Sequence, residues 1–532
     1  MRDTFVEDRL PPPELCPEFR FDLPELDYPR QMNAAVVLLD HAVEEGYGER
    51  PCVINDRGVW TYAEMRDLSD RIARVLVDEE GLIPGNRVVL RGPNGAWLFA
   101  AWAAVLKAGG VVVTTMPILR AGEIATLLRK AAISHAIVDQ RCLEDFLAAA
   151  AQAGTVRSLL TYNGDLGGGA LEARVAAATA PGFAPAETTR DTPAVIAFTS
   201  GTTGAPKGCV HPHLALLSPY HTFAANLLRP GRNDRHLCSA PIAFTFGLGA
   251  LVLFPWASRG AAVTVEDGAP ASLLDAIGRH RPTLLYTAPT AYKAMLGQLA
   301  GRDLSSLRTC VSAGEHLPAA TSDAWAQATG MRPIDGIGGT ELMHIFISAA
   351  GDDIRPGATG KAVPGFTATV LDDDGTPLPR GTGRLAIRGP VGCRYLDDAE
   401  RQAGYVRHGW NMTGDTYRLD EDGYFWFVAR SDDMIVTSGY NVAAPEVESA
   451  LHAHPAVAEC AVVGAPCPKR GKLIKAFVVL RDGYAPGDAT ARELQDHVKA
   501  TIAPYKYPRA IEFVAELPRT PTGKLRRFAL RG

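Results

Sequence analysis

Short apolar runs alternate with amphipathic stretches along most of the chain. From Val88 onward, "RVVLRG" predicts a strand, "NGAWLFAAWAAVLKAG" predicts a helix ending at Gly109, and "VVVTT" predicts the next strand. The apolar runs "HAIVD", "SLLTYN", "AAVTVE" and "TLLYTAP" then alternate with helical patterns up to about residue 350. This alternation predicts an α/β fold in which helices cover parallel or mixed sheets.

The pattern changes twice towards the C-terminus. Gly- and Pro-rich turns between strand-type runs, "ATVLDDDGTPLP" and "GRLAIRG", predict a smaller β-rich unit between about residues 355 and 428. After "ARSDD", the order helix, strand, strand, helix, strand predicts an α+β module of about 100 residues. We therefore expect a large domain over residues 1–430, a small mobile domain over residues 431–532, and a hinge at Asp432.

Composition and charge narrow the class of function. Hydrophobic residues make up 47% and charged residues 21% of the 532 residues, which is typical of a soluble globular protein. The formal net charge of −5 argues against a nucleic-acid-binding face, and no apolar stretch reaches the roughly 20 residues of a membrane span. The nine cysteines are scattered without a Cys-x-x-Cys pair, and no secretory signal is found. We expect a cytoplasmic protein that acts on small molecules.

The stretch "FTSGTTGAPKGCVH" follows an apolar run and predicts a site for a polyphosphate. Backbone amides in a glycine-rich turn can form a concave anion site, because glycine tolerates positive φ angles. Hydroxyl donors and a movable lysine add further contacts for phosphate oxygens. The expected contacts are Thr199, Ser200, Gly201, Thr202, Thr203, Gly204 and Lys207. It is not a Walker A sequence, because Gly208 and Cys209 follow the lysine.

Within that stretch, "TSGTTGAPKG" resembles the phosphate-binding signature of the adenylate-forming enzymes, the superfamily of acyl-CoA synthetases, adenylation domains and luciferases. Four more segments resemble family motifs in the family's order: "IGGTE", "TGD", "RSDDMIVTSG" and "PRTPTGK". The resemblance covers nearly the whole chain. It implies that ATP and a carboxylic acid form an acyl adenylate, with Mg²⁺ as the metal and coenzyme A as co-substrate.

The resemblance also implies roles for the nucleotide-binding residues. Thr340 would contact the α-phosphate, and Glu341 would be the Mg²⁺ ligand. Asp415 would accept hydrogen bonds from the ribose hydroxyls, with Arg430 supporting the same sugar. Ile337, where the family usually has an aromatic residue, would lie with Gly338 against the adenine.

The resemblance places the remaining catalytic machinery in the C-terminal module. Lys524 would be the cation that bridges the carboxylate and the α-phosphate. Rotation about Asp432 would bring Gly439 to the pantetheine channel in a second state. A lysine acetyltransferase acting on Lys524 would remove its charge and switch the enzyme off.

In the family the acid pocket is lined by the segment after the phosphate loop, by the region around "PIAFTFGLG" and by the segment leading into Thr-Glu. Here they contribute Phe244, Phe246, Gly247, Gly314, Ile337, Gly338, Gly339, Met343 and His344. Phenyl rings and glycines predict a flat, short slot for a planar aromatic acid rather than a tunnel for a fatty chain. "PIAFTFGLG" offers no carboxylate for an α-ammonium group, which argues against an amino acid. Phe254 and Trp256 are expected to be core residues.

Two longer strings narrow the resemblance. "CPEFRFDLPELDYPRQMNAAVVLLDHA" and "GCVHPH…GIGGTELMHIFISA" resemble the aryl-CoA ligases, in particular the benzoate and 2-aminobenzoate CoA ligases. We favour 2-aminobenzoate, with His344 or a carbonyl near Gly338 accepting from the ring amine. Benzoate is the alternative substrate. Three alternative functions also stay open: the loading of a carrier protein, a luciferase-like oxygenase and a non-enzymatic nucleotide-binding protein. We expect a homodimer.

Overall fold

Two mainly parallel sheets carry the α/β pattern that the sequence predicts for the N-terminal part of the chain. The computed structural model describes residues 1–163, 167–199, 206–430, 434–437, 440–467, 471–502, 506–519 and 525–531. The first sheet has six strands in the order Ser158–Tyr162, His135–Asp139, Arg87–Arg91, Val111–Thr115, Pro193–Thr199 and Lys207–Pro212. Only the last strand is antiparallel to its neighbour.

This sheet is covered on both faces, which explains its continuous apolar runs. Val88 and Leu90 pack into one apolar cluster, whereas Val89 packs into another on the opposite face. The predicted helix spans Ala96–Lys107, and Gly109 follows it with a φ of +74°. A left-handed glycine commonly ends a helix, since it lacks the Cβ that would clash there.

The second sheet has nine strands, and its central strands are parallel. Their order is Lys361–Ala362, Ile345–Ser348, Ile334–Gly338, Thr309–Ala313, Leu284–Thr287, Arg235–Cys238, Ala261–Val263, Pro51–Asn55 and Gly58–Thr61. Antiparallel pairs occur at its two ends. The strands predicted from "AAVTVE" and "TLLYTAP" are confirmed as neighbours of one parallel strand, Arg235–Cys238.

Most of the α-helices lie between these strands in the chain. The α-helices before residue 300 span Tyr62–Arg74, Ala96–Lys107, Ala121–Lys130, Leu143–Ala153, Ala170–Ala177, His213–Pro219, Thr245–Leu248, Phe254–Ser258, Pro270–His280 and Pro289–Leu296. Ala319–Thr329, Ala399–Tyr405, Ala444–His452 and Asp488–Thr501 follow. In the described part of the chain, no helix combines the length and apolar character needed to cross a bilayer.

The strand-type runs "ATVLDDDGTPLP" and "GRLAIRG" contribute strands to a third, six-stranded sheet, as predicted. This sheet contains Pro377–Leu378, Thr367–Leu371, Gly381–Arg388, Trp410–Leu419 and Val406–Arg407 in that order, and Phe425–Arg430 pairs with Trp410–Leu419. By contacts the chain divides into residues 1–368 with 386–412, and residues 369–385 with 413–532. The expected boundary after residue 430 and the hinge at Asp432 stay predictions, because Asp432 lies outside the described residues.

The C-terminal module follows the predicted order of elements. Met434–Thr437 and Tyr440–Ala443 form a two-stranded hairpin before the helix Ala444–His452. Val457–Cys467, Gly471–Leu480 and Ala510–Phe513 form a three-stranded sheet, and the helix Asp488–Thr501 precedes its last strand. Val447, Leu451, Val462, Ala476 and Leu494 belong to the core that joins these helices to the sheet. The module is therefore α+β, as the sequence predicts.

Candidate active site

The two strands that flank the predicted phosphate loop form a hairpin. Thr199 and Lys207 face each other at its open end, where the antiparallel pairing begins. The predicted loop contacts Ser200, Gly201, Thr202, Thr203 and Gly204 lie outside the described residues, and their roles stay predictions. Thr199 ends the strand next to the edge and Lys207 begins the edge strand of the first sheet, so the two residues that flank the predicted loop lie side by side.

The Thr-Glu segment forms a tight reversal between two antiparallel strands. A short 3₁₀ helix spans Thr340–Leu342, and the His344 amide donates to the Leu342 carbonyl at 2.8 Å across Met343. Met343 accordingly has a φ of +67°, which is rare for a residue with a side chain. A Cβ built on Gly338 would lie 2.8 Å from the His344 carbonyl oxygen, so only glycine fits there.

Two side chains that the sequence analysis did not single out hold this reversal. The His211 Nε2 lies 2.7 Å from the Thr340 carbonyl oxygen, so Nε2 carries the proton. The Tyr395 hydroxyl donates to Glu341 Oε1 at 2.5 Å. Burial raises the pKa of the Glu341 carboxyl, and the hydrogen bond from Tyr395 opposes that rise. The quoted phosphate-loop stretch contains His211, but no local signal connects Tyr395 with Glu341.

The charge of Lys207 also acts on this carboxylate, because it opposes the rise in the pKa of Glu341. Lys207 Nζ is 5.6 Å from the centre of the Tyr395 ring, and the hydroxyl of the same ring contacts Glu341. Among the described residues, no cluster of three His, Cys, Asp or Glu side chains could hold a metal by itself. Mg²⁺ is normally bound through one or two carboxylates together with substrate phosphates. Glu341 fits that requirement as a single protein ligand, because a nucleotide would supply the other oxygens.

His344 lies in an aromatic box. Its ring stacks on Phe223 at 5.5 Å and on Phe246 at 5.6 Å between centroids, and it meets the edge of Phe254 at 4.7 Å. Burial lowers the pKa of His344 to about 3, against a smaller opposing effect of the Phe246 backbone, so the imidazole is neutral at pH 7. Within the described residues, neither ring nitrogen makes a hydrogen bond of normal geometry. A buried neutral imidazole of this kind can accept a hydrogen bond from a ligand.

The structure brings only some of the predicted pocket residues to this box. Phe246 is part of it, whereas Phe244 has no ring contact with His344 among the described residues. Phe254 and Trp256 are buried, as expected for core residues, yet Phe254 also contacts His344. Phe223 was missed, although it lies in the segment after the phosphate loop that the resemblance pointed to.

The remaining pocket candidates form backbone and core around the reversal. Gly247 permits close packing, since a Cβ there would be 2.2 Å from the Pro241 carbonyl oxygen. Gly314 follows the strand Thr309–Ala313 with a φ of +90°. Ile337 lies on the strand Ile334–Gly338, and Gly339 follows that strand directly. Met343, in the reversal, is fully buried. Their role in binding an acid stays a prediction.

The predicted ribose-binding pair lies in the second unit. Asp415 and Arg430 face each other across two antiparallel strands, and Arg430 Nη1 lies 3.1 Å from Asp415 Oδ1. The Asp415 side chain is buried. Three other predicted residues, Asp432, Gly439 and Lys524, lie outside the described residues, so their roles stay predictions.

Comparisons with known proteins identify the family of this chain. Residues 39–395 match the AMP-binding enzyme family, and residues 446–524 match the AMP-binding enzyme C-terminal domain. The benzoate–CoA ligase of Thauera aromatica is 36% identical over 520 residues, which cover 96% of this chain and 97% of that protein.

Two crystal structures of ligases are similar along almost the whole chain. That of the anthranilate CoA ligase AuaEII in complex with anthranoyl-AMP has a TM-score of 0.87 and 34% identity, covering 96% of this chain and 98% of that chain. That of a benzoate CoA ligase from Burkholderia xenovorans LB400 has a TM-score of 0.84 and 32% identity, covering 94% and 100%. The chain therefore belongs to the AMP-binding enzyme family, in its adenylate-forming acid–CoA ligase branch.

Proposed function

We propose that this protein joins an aromatic carboxylic acid, 2-aminobenzoate, to coenzyme A through an aryl adenylate, with release of pyrophosphate and AMP. The family supports the two-step chemistry, and the benzoate and anthranilate CoA ligases among its relatives support an aromatic acid. The observation that carries the proposal is the His344 imidazole, boxed by three phenyl rings.

The box favours an aromatic acid with an ortho amine. Phe246 is partly exposed and would offer a planar ring an apolar face for burial and stacking, whereas Phe223 and Phe254 are fully buried against His344. An unpaired buried nitrogen costs free energy, and an ortho amine would satisfy it by donating a hydrogen bond to the neutral His344 ring. Benzoate would fill the same slot without that hydrogen bond, which makes it the alternative substrate.

The residues for ATP are assigned by the same proposal. The phosphate loop and Lys207 would bind the phosphates, Thr340 would donate to the α-phosphate, and Asp415 would accept from the ribose hydroxyls. Glu341 would hold Mg²⁺, which would act as a Lewis acid and neutralise charge on the phosphates. The tight reversal at Met343 connects this nucleotide side to the acid side, because Glu341 and His344 are only three residues apart.

Two displacements follow in the proposed reaction. The carboxylate oxygen attacks the α-phosphorus and pyrophosphate leaves; Lys524 would stabilise the charge that builds up between the two reactants. The thiol of coenzyme A then attacks the acyl carbonyl and AMP leaves, with Gly439 leaving room for the pantetheine arm. Water must be kept from the adenylate between the steps, and the apolar box serves that purpose.

A coupled AMP-release assay tests the substrate. We expect 2-aminobenzoate to have a higher kcat/KM than benzoate, 4-aminobenzoate or octanoate, with AMP release dependent on coenzyme A. Preference for octanoate would contradict the aromatic assignment. If AMP is released with 2-aminobenzoate at the same rate with and without coenzyme A, the loading of a carrier protein would be favoured instead. Light emission with an aromatic acid, ATP and oxygen would favour the luciferase-like alternative.

A matched pair of variants tests the role of His344. His344→Phe keeps the ring stacking but removes both nitrogens, so kcat/KM for 2-aminobenzoate should fall about 10-fold or more while benzoate is nearly unaffected. Phe246→Leu removes the partly exposed ring that both acids would contact, so both should lose activity. Equal losses for the two acids in His344→Phe would contradict the assignment of the amine to this imidazole.

Three further proposals concern the protein's surroundings. We propose a homodimer, a cytoplasmic location, and inactivation when a lysine acetyltransferase modifies Lys524. Acetylation neutralises the lysine, and a neutral side chain cannot bridge two anions. Full adenylation activity in a stoichiometrically acetylated sample would contradict the last of these.

A further inference from the structure

Tyr395 lies at a junction between the phosphate-loop hairpin and the Thr-Glu reversal. It pairs with Cys209 in an antiparallel bridge, and the Val210 amide donates to the Arg394 carbonyl at 2.8 Å beside it. The Tyr395 side chain is only 1% exposed. The ring is therefore fixed against the strand that leaves the phosphate loop.

The hydroxyl of this ring is directed at a carboxylate. It donates to Glu341 Oε1 at 2.5 Å, which is the length expected when an O–H group donates to an ionised acceptor. A glutamate has three rotatable side-chain bonds, and a single strong donor removes most of that freedom. No side chain of the described residues donates to the second oxygen, Oε2, and the backbone amide of Glu341 itself also lowers the pKa of the carboxyl.

The same strand also holds the other end of the reversal. His211 binds the Thr340 carbonyl oxygen at 2.7 Å, and Lys207 lies 5.6 Å from the Tyr395 ring centre. The strand Lys207–Pro212 thus contacts both Thr340 and the residue that holds Glu341. The position of the phosphate-loop strand is in this way linked to the orientation of one carboxylate.

We infer that Tyr395 is a positioning residue that holds the Glu341 carboxylate with Oε2 presented to the metal of the metal–ATP complex. This inference rests on the proposed function, because it takes Glu341 as the ligand of Mg²⁺. A purely structural tyrosine would support folding, whereas a positioning tyrosine also sets how much the metal strengthens nucleotide binding.

Isothermal titration with α,β-methylene-ATP, which cannot transfer its adenylyl group, measures this gain directly. The affinity is determined with and without Mg²⁺ for the full-length protein and for Tyr395→Phe, which keeps the ring near Lys207. We expect the variant to bind the analogue as tightly as the unmodified protein does in the absence of metal. The increase in affinity caused by Mg²⁺ should be about 10- to 100-fold smaller, which is the usual effect of removing a residue that hydrogen-bonds to a metal ligand. An unchanged gain would overturn the inference.

A second variant and a control separate positioning from folding. If Tyr395 acts through Glu341, adding Tyr395→Phe to Glu341→Gln should cause no further loss of the gain, because the two changes share one interaction. Additive losses would overturn the inference. Tyr292→Phe removes a buried hydroxyl that donates to the Val311 carbonyl at 3.0 Å elsewhere in the same unit. It should lower stability and leave the gain intact.

The two hypotheses fail in different ways. If the unmodified protein shows no gain with Mg²⁺, the proposed metal–ATP chemistry is wrong. If it shows the gain and Tyr395→Phe retains it, only the positioning role is wrong. A preference for another acid would change the proposed substrate and leave the positioning role supported, since the titration contains no acid.

Discussion

Gly249 lies directly behind the His344 ring. A Cβ built on it would be 2.4 Å from His344 Cδ2 and 2.6 Å from Nε2, although its φ of −58° suits any residue. Gly249→Ala should therefore push the imidazole out of the aromatic box, since an overpacked core costs about 1–3 kcal/mol. We expect the KM for the aromatic acid to rise roughly 10-fold, with binding of the ATP analogue unchanged.

The matched control for that substitution is Gly278→Ala, at an exposed glycine with no neighbour within 4 Å of its Cβ position. Steady-state kinetics of the two variants side by side check the prediction. Unchanged acid kinetics in Gly249→Ala, or an equal effect in Gly278→Ala, would show that space behind His344 does not matter.

Lys107 carries a buried charge between helices. Its Nζ is fully buried, 2.5 Å from Asp40 Oδ1 and 2.7 Å from Asp70 Oδ1. Lys107→Met removes the cation from two buried carboxylates, which should lower the free energy of unfolding by about 3–5 kcal/mol at pH 7. Lys499→Met, at an exposed pair with Asp496, should change it by less than about 1 kcal/mol.

The same variant has a predictable dependence on pH. Burial raises the pKa of Asp40 even with Lys107 present, and without the lysine the rise should be larger. A carboxyl whose pKa is higher in the folded state than in the unfolded state is destabilising when ionised. That cost disappears as the pH falls through the folded pKa. Urea unfolding from pH 7 down to pH 5 should show the deficit of Lys107→Met shrinking; a constant or growing deficit would contradict this account.

At the scale of one element, the helix Pro270–His280 contains a glycine that packing does not require. Gly278 is exposed, lies within the helix, and has open space at its Cβ position. Replacement by alanine reduces the entropy lost on folding, so Gly278→Ala should stabilise the protein by about 0.5–1 kcal/mol. Chemical denaturation measures the change, and a loss of stability would mean that the glycine has a contact or a role not visible in this helix.

At the scale of the whole molecule, the two half reactions should separate. Lys524→Ala should reduce adenylate formation at least about 10²-fold, because a preorganised charge contact is lost. Thioester formation from a supplied aryl adenylate should continue, since in that step no carboxylate has to be brought against the α-phosphate. Pyrophosphate exchange and aryl-CoA yield from the adenylate are the two measurements. Equal losses of pyrophosphate exchange and of aryl-CoA yield would contradict the role assigned to Lys524.

The complementary variant is Gly439→Leu. If the C-terminal module rotates about Asp432 and brings Gly439 to the pantetheine arm, a leucine there should stop coenzyme A transfer and spare pyrophosphate exchange. Asp432→Pro, which restricts φ to about −65°, should favour one of the two orientations. Exchange and transfer falling together in Gly439→Leu, or neither falling, would contradict a two-state hinge.

The sequence by itself determined the order of elements and the family. Strands such as Val111–Thr115 and helices such as Ala96–Lys107 follow from local apolar periodicity, and Gly109 marks a helix end because the signal is local. The motifs were recognisable for the same reason, since each is a run of neighbouring residues. The α/β fold with a small C-terminal α+β domain was therefore predictable.

Only the tertiary structure decided which distant side chains meet. Tyr395 reaches Glu341 because an isolated bridge joins it to Cys209, and His211 reaches Thr340 from a different sheet. Phe223 reaches His344 across more than a hundred residues of sequence. No periodicity encodes such contacts, because they depend on how sheets and helices pack rather than on neighbours in the chain. The sequence motifs indicate the chemistry, and the tertiary packing determines which distant residues contact the side chains of those motifs.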